Sequence, residues 1–231
     1  MSYKTVCVAG GGVLGSQIAF QAAYCGFDVT IWLRSEGSIG RTQPKIDHVR
    51  EEYIAAIEGM EDGTGEWCAG IADSDRPFDK EVALAAVERA YSTLKLELDL
   101  AKAVADADLV IESMAEDTQA KIDFYKKLAP VLPQKTVVVT NSSTLLPSTF
   151  AKYTGRPEKY LSLHFANSIW KNNMTEVMAQ GQTDKRYFDE LVDFANDIRM
   201  LALPVNKEKN GYLLNSCLLY TSDAADDLIG V

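Results

Sequence analysis

The chain has 231 residues, 47% hydrophobic and 24% charged, a globular composition with apolar material for one large domain or one domain plus part of another. Its 23 basic and 33 acidic residues leave a net charge of -10, which argues against nucleic acid or an anionic membrane surface as a partner. No run approaches the ~18 apolar residues of a membrane-spanning helix. The four cysteines lack any C-x-x-C spacing, so neither disulfides nor a zinc or other metal site is expected, and the expected setting is the cytoplasm.

Val6-Cys7-Val8-Ala9 is an apolar run of strand type that flows into Gly10-Gly11-Gly12-Val13-Leu14-Gly15 and a helical run, Val13 to Cys25. A second strand, Val29 to Leu33, follows. In that context Gly10 permits a tight turn, Gly12 lets backbone N–H groups approach a pyrophosphate, and Gly15 lets the helix press on the strand. The pattern is a dinucleotide fingerprint, with Val13 and Leu14 inside the turn that holds the phosphates. Next comes an excursion over about 45–93 with helical patterns at Ile46 to Met60 and Lys80 to Thr93, joined by a Gly-rich acidic loop. It reads as a helical hairpin reaching out from the sheet, over the active site or as a surface elaboration.

Further strand-like runs recur at Leu94 to Leu98, Leu109 to Glu112, Val137 to Thr140, Leu161 to Phe165 and Leu201 to Val205, mostly separated by helical stretches. That alternation predicts an α/β fold with a doubly wound, largely parallel sheet. Polar clusters, Glu112-Ser113-Met114-Ala115-Glu116-Asp117 and Thr140-Asn141-Ser142-Ser143-Thr144, fall at the carboxyl ends of two strands, where such sheets bind ligands and where helix caps also lie. His164, one of only two histidines, stands near the end of Leu161 to Phe165, and Glu176 lies twelve residues on, beyond the polar run Lys171-Asn172-Asn173. A turn there places the two side by side on adjacent strands, the carboxylate orienting an imidazole suited to exchange an alcohol proton. Spacing alone favours a structural histidine.

Together the fingerprint, the hairpin, Val110-Ile111-Glu112-Ser113-Met114-Ala115-Glu116, Asn141-Ser142-Ser143, His164-Phe165-Ala166-Asn167, Glu176 and Gly211-Tyr212-Leu213-Leu214-Asn215 resemble the L-3-hydroxyacyl-CoA dehydrogenase family over about 4–216. The resemblance implies a Rossmann-like domain over 1–206 that binds NAD or NADP, and a helical domain that starts at 207–231 and is mostly missing here. It implies His164 as general acid/base, Glu176 as its orienting carboxylate, and Ser143 and Asn215 as hydrogen-bond partners of the substrate. Ala115, Glu116, Lys121, Ser143 and Asn167 are implied beside the coenzyme, with Glu116 and Lys121 at the nicotinamide ribose. The implied reaction moves a hydride between C3 of a small-molecule 3-hydroxyacyl-CoA or 3-hydroxy acid and the nicotinamide, and the full-length protein is implied to be a homodimer. The alternative is a coenzyme-binding fragment, or a structural descendant, without turnover.

The chain departs from the family pattern in four places. Leu33, followed by Arg34 and Ser35, stands where an acidic residue usually binds the adenosine ribose, which favours the 2′-phosphate of NADP. Glu51, Glu52, Glu58, Glu61, Asp62 and Glu66 make the hairpin acidic where CoA phosphates would need cations, leaving Lys45, Arg50 and Lys80 as candidates. Ser168 stands where proline is common. Residues 217–231 look like translated adapter sequence, a non-native tail.

Overall fold

Strands form where the apolar runs lie, and their order follows from alternation along the chain. A computed structural model describes residues 3–213. In order these are β1 (Thr5–Ala9), α1 (Val13–Tyr24), β2 (Asp28–Trp32), α2 (Glu36–Asp62), α3 (Lys80–Thr93), β3 (Lys95–Glu97) and α4 (Leu100–Val104). There follow β4 (Leu109–Glu112), α5 (Thr118–Leu128), β5 (Val137–Thr140), β6 (Tyr160–Phe165), β7 (Met174–Met178), α6 (Lys185–Asp197) and β8 (Leu201–Val205). They build one eight-stranded sheet in the order β3-β2-β1-β4-β5-β6-β7-β8. Pairing is parallel from β3 through to β6, β7 is antiparallel to β6, and β8 is parallel to β7.

The central strands are apolar on both faces because both are covered. Val6 and Val8 of β1, Leu109 and Ile111 of β4, Val137 and Val139 of β5, and Leu161 and Leu163 of β6 enter a core shared with α1, α2, α3 and α6. Their neighbours Cys7, Ala9, Val110, Val138 and Tyr160 point to a second core under α4 and α5. This period-two division is what a doubly wound sheet requires. Burial pushes the Cys7 thiol up to about 12, so it packs as a small apolar group.

The first hairpin helix is longer than the sequence suggested, starting at Glu36 rather than near residue 45. Pro44 invites a helix start beside it, because proline suits a first turn and costs a hydrogen bond in an interior. Burial on both sides carries the helix through it: Thr42 and Ile46 are buried, and Thr42 Oγ1 donates to the Gly11 carbonyl at 3.1 Å. The hairpin packs against α1. Its connection docks on the loop after β6, where the Gly70 amide donates to the Trp170 carbonyl at 3.1 Å. No helix among the described residues is long and apolar enough to cross a membrane.

Candidate active site

The strand order reverses between β1 and β4, and the loops at their carboxyl ends open the crevice in which dinucleotides lie in such sheets. Gly10 has φ +122°, and a Cβ there would stand 2.4 Å from the Ser113 carbonyl oxygen. A Cβ on Gly15 would stand 2.1 Å from the Gly10 carbonyl oxygen, so both positions need glycine to bring β1, β4 and α1 together. Gly12 is different: a Cβ there would meet no protein atom within 4 Å, so its side-chain volume is left to the cleft. Gly12 also stands at the N-cap of α1, with no capping side chain and no acidic residue in the first turn, so the first backbone N–H groups suit a pyrophosphate.

Two connected stretches of cleft flank this turn. One, of about 300 Å³, runs from Gly10, Gly11 and Gly12 past Leu33 and Arg34 to the first turns of α2. The other, of about 470 Å³, includes Leu14, Ala115, Glu116, Asn141 and Ser143. A larger cleft of about 650 Å³, between the hairpin connection and α6, contains no residue of the fingerprint or of the His164 site. Exposed Val13 opens α1 beside the cleft, and Asn167 is an exposed residue just past β6 whose carbonyl accepts from Asn172 Nδ2 at 2.8 Å.

The antiparallel register sets His164 of β6 directly opposite Glu176 of β7. His164 Nδ1 lies 2.8 Å from Glu176 Oε2, and both side chains are buried. With Nδ1–H donating to the carboxylate, Nε2 presents its lone pair on the other side, 3.2 Å from Ser143 Oγ. The surroundings hold this geometry. Thr175 Oγ1 donates to the His164 carbonyl at 2.9 Å, and the Phe165 amide donates to Asn141 Oδ1 at 3.0 Å. Tyr212 lays its ring over the imidazole, centroids 4.7 Å apart, and the Leu213 amide donates to Glu176 Oε1 at 2.6 Å. Asn215, the rest of 214–231 and therefore most of the segment over 207–231 lie outside the described residues.

Glu116 and Lys121 occupy unlike places. Glu116 borders the cleft, and its Oε1 accepts from the Ser142 hydroxyl, from the Ser143 and Thr144 amides at 3.0 Å each, and from Thr144 Oγ1 at 3.1 Å. Lys121 is enclosed, with 1% of its side chain exposed, and its Nζ lies 2.7 Å and 2.8 Å from the two oxygens of buried Glu112 and 3.4 Å from Glu116 Oε2. Any part it takes at a ribose therefore runs through Glu116. Glu112, which the sequence placed in a polar cluster without a role of its own, also accepts from Tyr125 Oη at 3.0 Å, Thr140 Oγ1 at 2.7 Å and the Met114 amide at 2.7 Å.

Desolvation alone would raise the Glu116 carboxyl, but the hydrogen bonds from Ser142 and Thr144 and the charge of Lys121 outweigh it and hold it at about 2, against an ordinary 4.5. A carboxyl depressed on folding contributes stability above its unfolded value, and that contribution disappears as pH falls through its folded value. Glu116→Gln is therefore expected to flatten the decline in thermal unfolding temperature between about pH 4.5 and 2, read by circular dichroism. An unchanged slope would show that the carboxylate contributes nothing to stability.

A family model described as 3-hydroxyacyl-CoA dehydrogenase, NAD binding domain, matches residues 5–209. The chain belongs to that family. This member of the 3-hydroxyacyl-CoA dehydrogenases is 28% identical over 214 residues to a 3-hydroxybutyryl-CoA dehydrogenase of Clostridioides difficile, covering 93% of this chain and 67% of that protein. It is 27% identical over 217 residues to the human mitochondrial hydroxyacyl-coenzyme A dehydrogenase, covering 94% and 63% respectively. Among solved structures, a diketoreductase described as acting on dicarbonyl compounds is 41% identical, with a TM-score of 0.78 and coverage of 99% of this chain and 73% of that one. The chain spans about two thirds of the length of the curated relatives it matches, from 63% to 68%. Membership accounts for the Rossmann-like fold and the NAD-type coenzyme cleft.

Proposed function

We propose that this dehydrogenase family member catalyses reversible hydride transfer between NADH or NADPH and the C3 carbonyl of a small 3-oxo acid or related 1,3-dicarbonyl compound, and that it works in the cytoplasm. The observation that carries the reading is the His164–Glu176 pair, with Nε2 turned toward Ser143 beside the fingerprint cleft. The backbone of Gly10 to Gly15 would hold the pyrophosphate, and Ala115, Glu116 and Ser143 would face the nicotinamide half. When bound, the nicotinamide supplies or accepts the hydride. In the reducing direction His164 Nε2 gives its proton to the oxygen at C3 as that oxygen gains charge, and Ser143 Oγ donates a hydrogen bond to the same oxygen. In the oxidising direction Nε2 takes the hydroxyl proton, and Glu176 offsets the imidazolium that forms. Ser143 thus contacts both partners, whereas Glu176 acts through His164.

Three features support a free acid over a CoA thioester. Glu58, Glu61, Asp62 and Glu66 are exposed on the hairpin, and Glu52 and Glu66 share a small cleft with Lys171 of the loop that follows His164. Of the three candidate cations for CoA phosphates on the hairpin, Arg50 is paired with Glu88 at 2.5 Å and Lys45 lines the coenzyme cleft, leaving Lys80. The diketoreductase, more identical to this chain than the two CoA dehydrogenases, is described as acting on dicarbonyl compounds. The test is loss of reduced-nicotinamide absorbance with acetoacetate and with acetoacetyl-CoA, each with NADH and NADPH. We expect turnover with acetoacetate, and turnover with the thioester alone would overturn the substrate assignment. The second reading is coenzyme binding without turnover, and silence with both substrates alongside measurable coenzyme binding would establish it.

A further inference from the structure

In this acidic chain the adenosine end of the cleft is basic. Arg34, Arg41 and Lys45 line it, and no aspartate or glutamate does. With a net charge of -10 over 231 residues, three cations without an acid around one cleft is a local reversal of the protein's charge. Among the described residues none of the three forms a salt bridge. Leu33, at the end of β2 where a carboxylate would receive the ribose 2′-hydroxyl, is 3% exposed and has no acceptor to offer. Glu97, opposite Trp32 on the neighbouring strand, is already engaged, its Oε1 accepting from the Leu98 and Asp99 amides at 2.7 Å and 2.8 Å.

The cations are arranged with hydroxyls. Arg41 Nη2 donates to Ser38 Oγ at 3.1 Å, and Ser38 Oγ lies 3.0 Å from Ser35 Oγ. Lys45 Nζ donates to the Arg41 carbonyl, one turn back along α2. Ser38, Arg41 and Lys45 recur at i, i+3 and i+7, so α2 presents them on one face beside Arg34. A dianionic phosphomonoester with three acceptor oxygens needs what two guanidinium groups and a hydroxyl supply, whereas a neutral ribose hydroxyl does not.

We propose that Arg34, Ser38 and Arg41 form a subsite for the 2′-phosphate of NADP(H), with Lys45 adding long-range charge, so that NADPH is the preferred coenzyme. The proposal rests on the reading of the cleft as a dinucleotide site but not on turnover. The test is a titration of the full chain with NADPH and with NADH, followed by quenching of tryptophan fluorescence, Trp32 lying in the cleft wall. NADPH is expected to bind at least tenfold tighter. Raising salt from 0.05 to 0.5 M, an excursion of about this size being enough to screen exposed charges, is expected to weaken NADPH far more than NADH. Arg34→Ala and Arg41→Ala are each expected to weaken NADPH at least fivefold and NADH much less, and Arg34→Lys to fall between, because an ammonium keeps the charge and loses the fork. Equal or tighter binding of NADH, or variants that weaken both coenzymes alike, would overturn the 2′-phosphate site and leave the dehydrogenase reading standing. Binding of neither coenzyme to a folded chain would overturn both.

Discussion

His164→Ala is expected to remove turnover while coenzyme affinity stays close to that of the parent protein. Both nitrogens of the imidazole are committed: Nδ1 to Glu176 at 2.8 Å and Nε2 toward Ser143 at 3.2 Å. Alanine deletes the proton relay and leaves no side chain that can replace it, since Ser143 in isolation is a poor acid and base near neutral pH. A positioned general acid/base is worth ~10²–10⁴-fold, and the loss should appear in kcat with either coenzyme. The fingerprint loop, by contrast, is fixed by Gly10, Gly15 and Thr42, none of which touches the imidazole, so a coenzyme titration should barely move. Activity near the parent level in the variant would remove His164 from the mechanism. A parallel loss of coenzyme binding would assign it to structure instead.

Lys121→Met is expected to be the most destabilising single substitution near the site. It deletes the ammonium that faces both oxygens of Glu112, a carboxylate with no exposure at all, and leaves only Tyr125, Thr140 and the Met114 amide to solvate a buried negative charge. Breaking a buried pair from one side costs about 3–5 kcal/mol, against ~5–15 kcal/mol for the whole of a typical domain's stability. Urea unfolding should therefore find Glu112→Gln combined with Lys121→Met less destabilised than Lys121→Met alone, because the double variant leaves no unpaired charge in the interior. Equal deficits in the two would mean that the carboxylate does not drive the loss.

Several parts of this site could be read before any coordinates because they rest on local rules. Glycines at 10, 12 and 15 between an apolar strand and a helix have few other uses, and the outcome separates them into two packing positions and one opening. His164 and Glu176 were readable as a pair because Lys171-Asn172-Asn173 marks a turn, and an antiparallel return sets residues twelve apart on facing strands. The basic cluster on α2 was hidden by Pro44. With the helix started at 45, Ser38 and Arg41 fall in a loop and lose their common face; started at Glu36, the same residues line up. The burial of Lys121 was not legible for another reason: a lysine on an amphipathic helix ordinarily reaches solvent. The clue lay nine residues earlier, in a glutamate that ends a strand buried on both sides and must find a counter-charge.

Tyr212 ties the proton-transfer pair to the far end of the chain. Ser162 Oγ donates to the Thr140 carbonyl at 3.0 Å, so the Tyr212 hydroxyl, 2.5 Å away, donates to Ser162, and burial raises the phenol so that it stays neutral. The residue sits at φ +53°, next to Gly211 at +74°, and its own ring and the following amide rest on His164 and Glu176 respectively. Two consecutive residues thus brace the pair: one packs an aromatic face on the imidazole and the next gives its amide to the carboxylate, so the seating of this single turn and the alignment of the proton-transfer pair are one structural event.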